Sequence, residues 1–243
     1  MGAMSRTSSL ETHARKGPQL AHDFDHVAPC YDLLQRLNPG YSADLMQSAK
    51  RLQAPARGCI LDLCCGTGLS TEALVAAYPE AEITAVDQSA GMLEVARKKP
   101  ALSKVTFIQG DAMALDTCGA NGPYDAILMA YGIRNMPDPD ACLLQLRAHL
   151  SPHGRIAFHE YLVRDAIAPR AIWNAVSASI IVPLGTLATG SGELFRYLRR
   201  SVNDFDRLEA FETRLRRAGF QAIHHESMGG WQRGIVHTVL ATK

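Results

Sequence analysis

Short apolar runs alternate with helical patterns along most of this chain, and that alternation constrains the fold more than any other feature. Each run has the length of a strand, and apolar residues three and four positions apart mark the helices between the runs. Such alternation is typical of βαβ units, which build a mostly parallel sheet with helices on both faces. We therefore predict a doubly wound α/β fold with a seven-stranded, mostly parallel sheet whose last two strands form an antiparallel edge. The predicted strands are Cys59–Leu63, Glu82–Val86, Val105–Ile108, Ala126–Ala130, Arg155–Phe158, Ala222–His225 and Ile235–Thr242.

A chain of 243 residues, 47% of them hydrophobic, can bury one substantial core, and we expect a single domain over residues 21–243. Residues 1–20 are polar, and we expect them to be a disordered tail that opens with a vector-derived remnant before Met4. Within the domain, residues 21–54 are expected to form an N-terminal helical cap. The strand–helix rhythm breaks over residues 161–204, which indicates an inserted helical lid.

Composition argues against several kinds of partner. Lys and Arg number 25 and Asp and Glu number 24, so the net charge of +1 gives no electrostatic reason to expect nucleic acid. No uninterrupted run of about 18 apolar residues occurs, so we expect no stable membrane insertion. The six cysteines lack zinc spacing; we interpret them as reduced thiols of a cytoplasmic protein and predict no metal site.

Three acidic residues stand where the first three predicted strands end. Asp62, Asp87 and Asp111 are separated by 25 and 24 residues, and each lies in or just after its strand. Ligands of doubly wound sheets bind beyond the carboxyl ends of the strands, so these carboxylates are expected to share one site. The alternative is that they are helix caps and turn formers, which strand-end Asp residues frequently are.

A glycine-rich turn, Asp62-Leu-Cys-Cys-Gly66-Thr-Gly68, follows the first strand and precedes a helix. A dinucleotide site would need a third glycine where this chain has Thr71, and no G-K-[ST] follows for a P-loop. S-adenosyl-L-methionine fits better, because it has an amino group, two ribose hydroxyls and an adenine amine but no pyrophosphate. We predict it as the cofactor, with its amino group on Asp62, its ribose on Asp87 and its adenine amine on Asp111.

Six motifs in a fixed order run through the chain: Phe24-Asp25-x-x-Ala28-x-x-Tyr31-Asp32, the Asp62–Gly68 turn, Gly91-Met92-Leu93, Tyr131-Gly132-Ile133-Arg134-Asn135, Leu150-Ser151-Pro152-His153-Gly154-Arg155 and Gly234-Ile235-Val236-x-Thr238. With these motifs the chain resembles the UbiE/COQ5 (MenG-like) family of class I S-adenosylmethionine-dependent methyltransferases. The resemblance covers nearly the whole chain from Phe24 and implies a Rossmann-like fold. It implies C-methylation of quinone precursors, although relatives methylate other small molecules.

The resemblance also implies roles for single residues on the cofactor side. Tyr31 is expected over the methionine end, where an aromatic face attracts a sulfonium; alternatively, it packs with Phe24 to anchor the first helix. Met92 is expected on the adenine or in the core, and Ala112 is expected to donate its backbone N–H to the adenine. The complete predicted cofactor-binding set is Tyr31, Asp62, Cys64, Gly66, Gly68, Asp87, Gln88, Met92, Asp111, Ala112 and Ala130.

The predicted catalytic set is Arg134, Asn135 and His159. By resemblance, Arg134 and Asn135 lie near the acceptor, where Arg134 stabilises a phenolate; alternatively, Arg134 braces its loop. His159 and Glu160 are expected to end the fifth strand and face the same crevice, where either could be a base if the acceptor is a hydroxyl or an amine. A structural role is the more frequent one for such a histidine.

The lid carries a run of large apolar residues around Ile172–Leu184, which predicts an apolar acceptor pocket. Plain packing against the sheet, or a contact in a homodimer, are the alternatives. We predict methyl transfer to a small-molecule acceptor that is largely apolar or aromatic, with C-methylation of a quinone-like or natural-product substrate favoured. The alternatives are O- or N-methylation of a secondary metabolite, other chemistry such as cyclisation, and cofactor binding without methyl transfer.

Overall fold

The computed structural model describes residues 18–243, and a seven-stranded sheet with strand order β3-β2-β1-β4-β5-β7-β6 organises them. The neighbours among β1 to β5 are parallel, whereas β7 is antiparallel to both β5 and β6. This arrangement confirms the predicted doubly wound sheet and its antiparallel edge. The strands are β1 (Cys59–Leu63), β2 (Glu82–Asp87), β3 (Thr106–Gln109), β4 (Tyr124–Ala130), β5 (Leu150–Tyr161), β6 (Gln221–Ser227) and β7 (Val236–Thr242).

Helices cover both faces of this sheet, as its parallel strands require. Two helix starts show the expected capping: Ser89 Oγ accepts the N–H of Met92, and Asp138 accepts those of Asp140 and Ala141. The helices are α1 (Pro18–Arg36), α2 (Tyr41–Leu52), α3 (Leu69–Ala77), α4 (Ala90–Arg97), α5 (Leu115–Cys118), α6 (Pro139–His149), α7 (Ile167–Val176), α8 (Val182–Thr189), α9 (Glu193–Asp204) and α10 (Leu208–Arg217).

A hydrophobic core lies on each face of the sheet. One core joins the strands to α6 and α10, and in it the Phe158 and Phe211 rings meet edge to face with centroids 5.2 Å apart. The other joins the strands to α2 and α3 through residues such as Leu45, Leu52 and Leu74. Because both faces are buried, the polar ends of the strands are left as the place where a ligand can be bound.

The N-terminal helix α1 is tied to the carboxyl edge of the sheet by two carboxylates. Asp25 Oδ1 accepts from Ser89 Oγ at 2.6 Å, and Asp32 Oδ1 accepts from Thr67 Oγ1 at 2.6 Å. The helix begins at Pro18, so the last three residues of the expected tail are helical. The rest of the expected tail, including the expected vector-derived remnant, lies outside the described residues.

The segment after β5 is helical, and α7 continues into α8 through a π-helical turn, Ser177–Ile181. Pro183 lies just beyond this turn; it lacks an N–H and its ring crowds the carbonyl four residues earlier, which accounts for the irregular turn. Among the described residues, the continuous stretch Ile167–Thr189 has the length and composition of a membrane span. The requirement for an uninterrupted apolar run missed this stretch, because polar residues such as Asn174 interrupt it.

Phe158→Ala removes a fully buried ring from the core between β5 and α10. We expect the free energy of unfolding to fall by about 3–5 kcal/mol, because lost apolar transfer and a new cavity both destabilise the folded state. Urea titration measures this change. The control is Leu144→Ala on α6, which is 58% exposed and should change stability by less than about 0.5 kcal/mol. Equal losses in the two variants would contradict this description of the core.

Candidate active site

The turn after β1 brings backbone amides to the carboxyl edge of the sheet. Cys64, Gly66 and Gly68 have φ values of 60°, 55° and 83°, a left-handed conformation that strains residues with a side chain. A Cβ on Gly68 would also lie 2.6 Å from the Leu102 side chain, whereas one on Gly66 would meet nothing within 4 Å. Gly66 therefore leaves open space where a ligand can approach the backbone.

Asp87 connects this turn to the start of α4. Its Oδ2 accepts the N–H of Gly66 at 2.8 Å, and its Oδ1 accepts the N–H of Ser89 at 2.9 Å. Burial raises the pKa of Asp87, and these backbone donors oppose that shift. Each carboxylate oxygen has a second lone pair, so the side chain can also accept from a ligand.

Asp62 is fully buried behind the turn. Its Oδ2 accepts from Ser70 Oγ at 2.8 Å and from Thr71 Oγ1 at 2.6 Å, but its Oδ1 has no hydrogen-bond partner among the described residues. Burial raises the pKa of Asp62 to about 7. A buried carboxylate with one unsatisfied oxygen is stabilised by a cationic donor, so this position suits an ammonium group.

Two small cavities lie at the turn and share Phe24, Cys64, Asp87 and Asn135. The turn cavity, of about 100 Å³, extends from Gly66 toward β4 and α1; the edge cavity, of about 80 Å³, extends toward β3. Most of the predicted cofactor-binding residues line one or both cavities, whereas Asp62, Gly68 and the predicted base His159 do not. The predicted residues that line them are Tyr31, Cys64, Gly66, Asp87, Gln88, Met92, Asp111, Ala112, Ala130, Arg134 and Asn135.

Asp111 lies at the outer end of the edge cavity. Its Oδ1 accepts the N–H of Met113 at 2.9 Å, so it is a turn former as well as a lining residue. The neighbouring Ala112 has its carbonyl engaged by Gln145 Nε2 at 2.6 Å. The exposed Asp111 therefore offers its second oxygen to a donor at the rim of the cavity.

A larger cavity of about 330 Å³, the apolar cavity, lies between α1, the helices α7 to α9 of the predicted lid, and the carboxyl end of β5. Among the described residues that line it, Arg134 alone is charged. The turn cavity and the apolar cavity share part of their walls, so a ligand in one lies beside a ligand in the other. The shared lining residues are Phe24, Tyr31, Tyr41, Tyr131 and Arg134.

Tyr131, directly after β4, holds an unusual backbone conformation in this shared wall. Its φ of 56° is uncommon for a residue with a side chain, and such strain persists only where surrounding contacts fix it. Here the carbonyl of Tyr131 accepts from Arg134 Nη1 at 2.7 Å and from Asn135 Nδ2 at 3.1 Å. Its ring stacks between those of Tyr41 and Tyr161, at centroid distances of 5.7 and 4.8 Å.

Arg134 is buried and paired. Its Nη1 lies 2.8 Å from Glu160 Oε1, while Arg134 Nε and Glu160 Oε2 lack a hydrogen-bond partner among the described residues. Burial raises the pKa of Glu160 and the guanidinium opposes this; for Arg134, burial acts to lower the pKa but Glu160 raises it. Glu160 therefore fixes the Arg134 guanidinium at the junction of the two cavities, both of which Arg134 lines.

The expectation that His159 and Glu160 face the crevice is wrong. Strand β7 pairs with β5 as far as Tyr161, so β5 does not end before His159 and Glu160 but continues past them. Both side chains are buried. His159 Nδ1 lies 2.8 Å from Ser48 Oγ, and its Nε2 lies 2.8 Å from the Tyr131 hydroxyl. Burial lowers the pKa of His159 to about 3, so its ring is neutral near pH 7.

Several residues of the apolar cavity were missed by the sequence analysis. Tyr41, Tyr161, Tyr197 and Trp231 lie far apart in sequence and meet only in the folded chain. The Tyr197 hydroxyl donates to Asn135 Oδ1 at 3.1 Å, which links the lid to the loop after β4. Tyr161 could have been predicted from its position near the end of an apolar run. For the other three residues, the sequence offers no signal that they line a cavity.

Together these features form a polar cleft for a ligand with a cation and several hydroxyls, beside a chamber for an apolar one. Residues 12–243 match the ubiE/COQ5 methyltransferase family. A Syntrophotalea carbinolica protein named ubiquinone/menaquinone biosynthesis C-methyltransferase UbiE is 31% identical over 225 residues, 89% of this chain and 92% of the relative. A Thermus thermophilus demethylmenaquinone methyltransferase is 34% identical over 204 residues, 81% of this chain and 90% of the relative.

Among solved structures, the plantazolicin methyltransferase BpumL, in complex with a desmethyl-plantazolicin analogue and S-adenosylhomocysteine, has a TM-score of 0.61. Its sequence is 15% identical, and the match covers 93% of this chain and 96% of BpumL, so it supports the fold. The family match and the two relatives extend over most of each chain and confirm the predicted family and its S-adenosylmethionine cofactor. The chain therefore belongs to the ubiE/COQ5 methyltransferase family.

Proposed function

We propose that this protein transfers the methyl group of S-adenosylmethionine to a ring carbon of a quinol-like aromatic acceptor that carries an apolar side chain. The observation that carries this proposal is the wall shared by the turn cavity and the apolar cavity. The names of the relatives, which include ubiquinone/menaquinone C-methyltransferase, support the acceptor class. Mass analysis of a prenylated, demethylated quinol after incubation tests the methyl transfer, because it adds about 14 Da whereas cyclisation adds nothing; resistance of the added methyl group to ether cleavage distinguishes a ring carbon from an oxygen.

The residues around the two small cavities fit the cofactor. The unsatisfied Asp62 Oδ1 would hold its ammonium group, and Asp87, which lines both cavities, would accept from its ribose hydroxyls. Asp111 and Gln88 would hold the adenine in the edge cavity. The open space at Gly66 leaves room for the chain that joins these groups.

The apolar cavity fits an aromatic head group with a hydrocarbon chain. Its volume of about 330 Å³ lies within the usual range for small-molecule pockets. Aromatic rings of Tyr31, Tyr41 and Tyr131 lie at the cofactor end, and aliphatic residues of the lid, including Ile181 and Leu184, lie at the other. We therefore place the ring to be methylated at the tyrosines and its apolar tail along the lid, which is the role we propose for α7 to α9.

When bound, S-adenosylmethionine supplies an electrophilic methyl group attached to a positively charged sulfur. That sulfur is a good leaving group, because it becomes a neutral thioether. Methyl transfer would form a bond between the ring carbon and the methyl group as the sulfur–methyl bond breaks, and the proton that the ring carbon then loses would pass to water. The shared wall would hold the two reactants in line; such positioning can lower a barrier by roughly 7–11 kcal/mol.

Arg134 would stabilise the acceptor in its phenolate form, whose ring carbon is the stronger nucleophile, because a fixed cation in a desolvated cavity acts strongly on an oxyanion. Glu160 and the carbonyl of Tyr131 fix the guanidinium in place. His159 would act as a positioning residue, since its Nε2 holds the Tyr131 hydroxyl and its ring does not line the cavities. The free cysteines support a cytoplasmic enzyme.

Asp87→Ala should lower affinity for S-adenosylhomocysteine by roughly 10- to 100-fold, because hydrogen bonds to charged groups contribute about 1.5–3 kcal/mol. Isothermal titration calorimetry measures the change. Glu209→Ala, which removes an exposed carboxylate on α10, is the matched control and should bind like the wild type. Unchanged affinity in Asp87→Ala would remove Asp87 from the cofactor site.

Asp62→Asn should change how stability of the cofactor-free protein depends on pH. The pKa of Asp62 in the folded chain, about 7, exceeds the value of about 3.9 in an unfolded chain. The folded state therefore retains a proton that the unfolded state loses, and the contribution of Asp62 to stability falls as pH rises from about 4 to about 7. Urea titrations should give nearly equal stabilities at low pH and a more stable variant above pH 7. If the stabilities of the wild type and Asp62→Asn depended on pH in the same way, the pKa of Asp62 would not be raised.

Replacing the Arg134–Glu160 pair tests its part in catalysis. Arg134→Ala alone would leave a buried, unpaired Glu160, so the variant combines Arg134→Met with Glu160→Leu. We expect turnover to fall by roughly 100-fold or more, while calorimetry with S-adenosylhomocysteine shows little change. Arg216→Ala, at an exposed ion pair on α10, is the control. Normal turnover in the double variant would assign the pair a purely structural role.

A further inference from the structure

The outward side of the lid is apolar, which is unusual for a helix on a protein surface. Ile167 is 89% exposed and Leu187 is 84% exposed, and Ile172, Ile180 and Leu184 are exposed along the same stretch. These five residues are called the lid face. From residue 167 to 189 the sequence contains one charged residue, Arg170. A surface helix normally turns its charged side outward, so an exposed face of this kind marks an interaction site.

The lid lies along the protein rather than extending away from it. Trp173, Ser177 and Gly185 are buried, so one side of the helical stretch packs against the rest of the chain. Its 23 residues give a length of roughly 35 Å. A helix held by the protein along one side can lie in the plane of a membrane surface, with its other side among the lipids, without crossing the bilayer.

Exposed arginines lie near both ends of the lid face. Arg170 lies at its start, where Pro169 packs near Gly234 and so brings Arg233 close, and Arg196 on α9 lies near Thr186 at its other end. Residues 161–204 contain five arginines and three acidic residues, a net charge of +2, whereas the whole chain has a net charge of +1. Concentration of positive charge beside exposed apolar side chains complements a surface of anionic lipid head groups.

The lid face is continuous with the apolar cavity. Ile180 and Leu184 are exposed and also line that cavity, and the exposed Leu37 lies on the opposite side of its mouth. Trp231 lies at the same cavity with its Nε1 bonded to the carbonyl of Pro39, and tryptophan is favoured at membrane interfaces. A solute dissolved among lipid chains could therefore enter the cavity without crossing water.

From these observations we infer that the lid face docks on the surface of an anionic lipid bilayer and opens the apolar cavity toward the hydrocarbon region. The docking is an interaction of its own and does not require methyl transfer. Entry of the acceptor by this path rests on the function proposed above. Hydrophobic burial of the lid face and attraction of the arginines to head groups would act together, so binding should depend on both apolar side chains and anionic lipid.

Vesicle flotation with the full chain tests the docking. Wild-type protein should float with vesicles of phosphatidylcholine and phosphatidylglycerol, and less with phosphatidylcholine alone or at high salt. Ile167→Glu combined with Leu187→Glu should lower the bound fraction at least about tenfold, because two exposed apolar anchors are lost. Leu144→Glu, at a residue 58% exposed on α6, is the matched control and should bind like the wild type.

The inference would be overturned if the wild type did not bind anionic vesicles, or if the lid variant bound them as well as the wild type. It would also be overturned if the wild type sedimented as a homodimer, the lid variant sedimented as a monomer, and neither bound vesicles. Neither substituted residue lines the cavities, so all variants should bind S-adenosylhomocysteine normally by calorimetry. Normal cofactor binding and turnover of a water-soluble acceptor without vesicle binding would refute the docking alone. Vesicle binding without any methylated product would refute the proposed function alone.

Discussion

The carboxylate of Asp87 joins the parts of the structure on which the cofactor site depends. It accepts backbone N–H groups from Gly66 and Ser89, which fixes the turn after β1 against the start of α4. Asp25 then accepts from the Ser89 hydroxyl and from the N–H of Gly91, which fixes α1 against the same helix start. One short series of hydrogen bonds therefore connects sheet, turn and cap. Movement of any of these would change the two small cavities together.

The loop after β4 connects this polar region to the apolar one. The strained conformation of Tyr131 aims its carbonyl at Arg134 and Asn135 and its ring into the wall between the cavities. The hydroxyl of Tyr131 is held by His159, and that of the lid residue Tyr197 by Asn135. The same few residues line both cavities. A substitution that changes which acceptor fits would therefore also change the position of the methyl donor.

Local sequence signals were sufficient for the sheet and for most lining residues, because both depend on where a buried strand ends. Asp87 and Gly66 are examples: each follows an apolar run, and parallel strands bring such positions to one edge. The wrong prediction for His159 has a different cause. Its orientation is set by pairing of β5 with β7 as far as Val236, a contact across about 75 residues that no local pattern reports. Tyr41 and Tyr161 likewise meet through contacts between distant parts of the chain, because each stacks on Tyr131.

The lid illustrates a conflict between solubility and access that any enzyme with an apolar acceptor faces. A helix whose inner side must line an apolar chamber normally has a polar outer side, because exposed apolar surface favours association. Here both sides are apolar, and the inner surface of Ile180 and Leu184 continues into the outer one without a polar border. A polar border would help to keep the free protein soluble, but an acceptor tail would have to pass it on entry. The continuous apolar surface therefore favours entry from a lipid phase, and the nearby arginines favour surfaces of opposite charge.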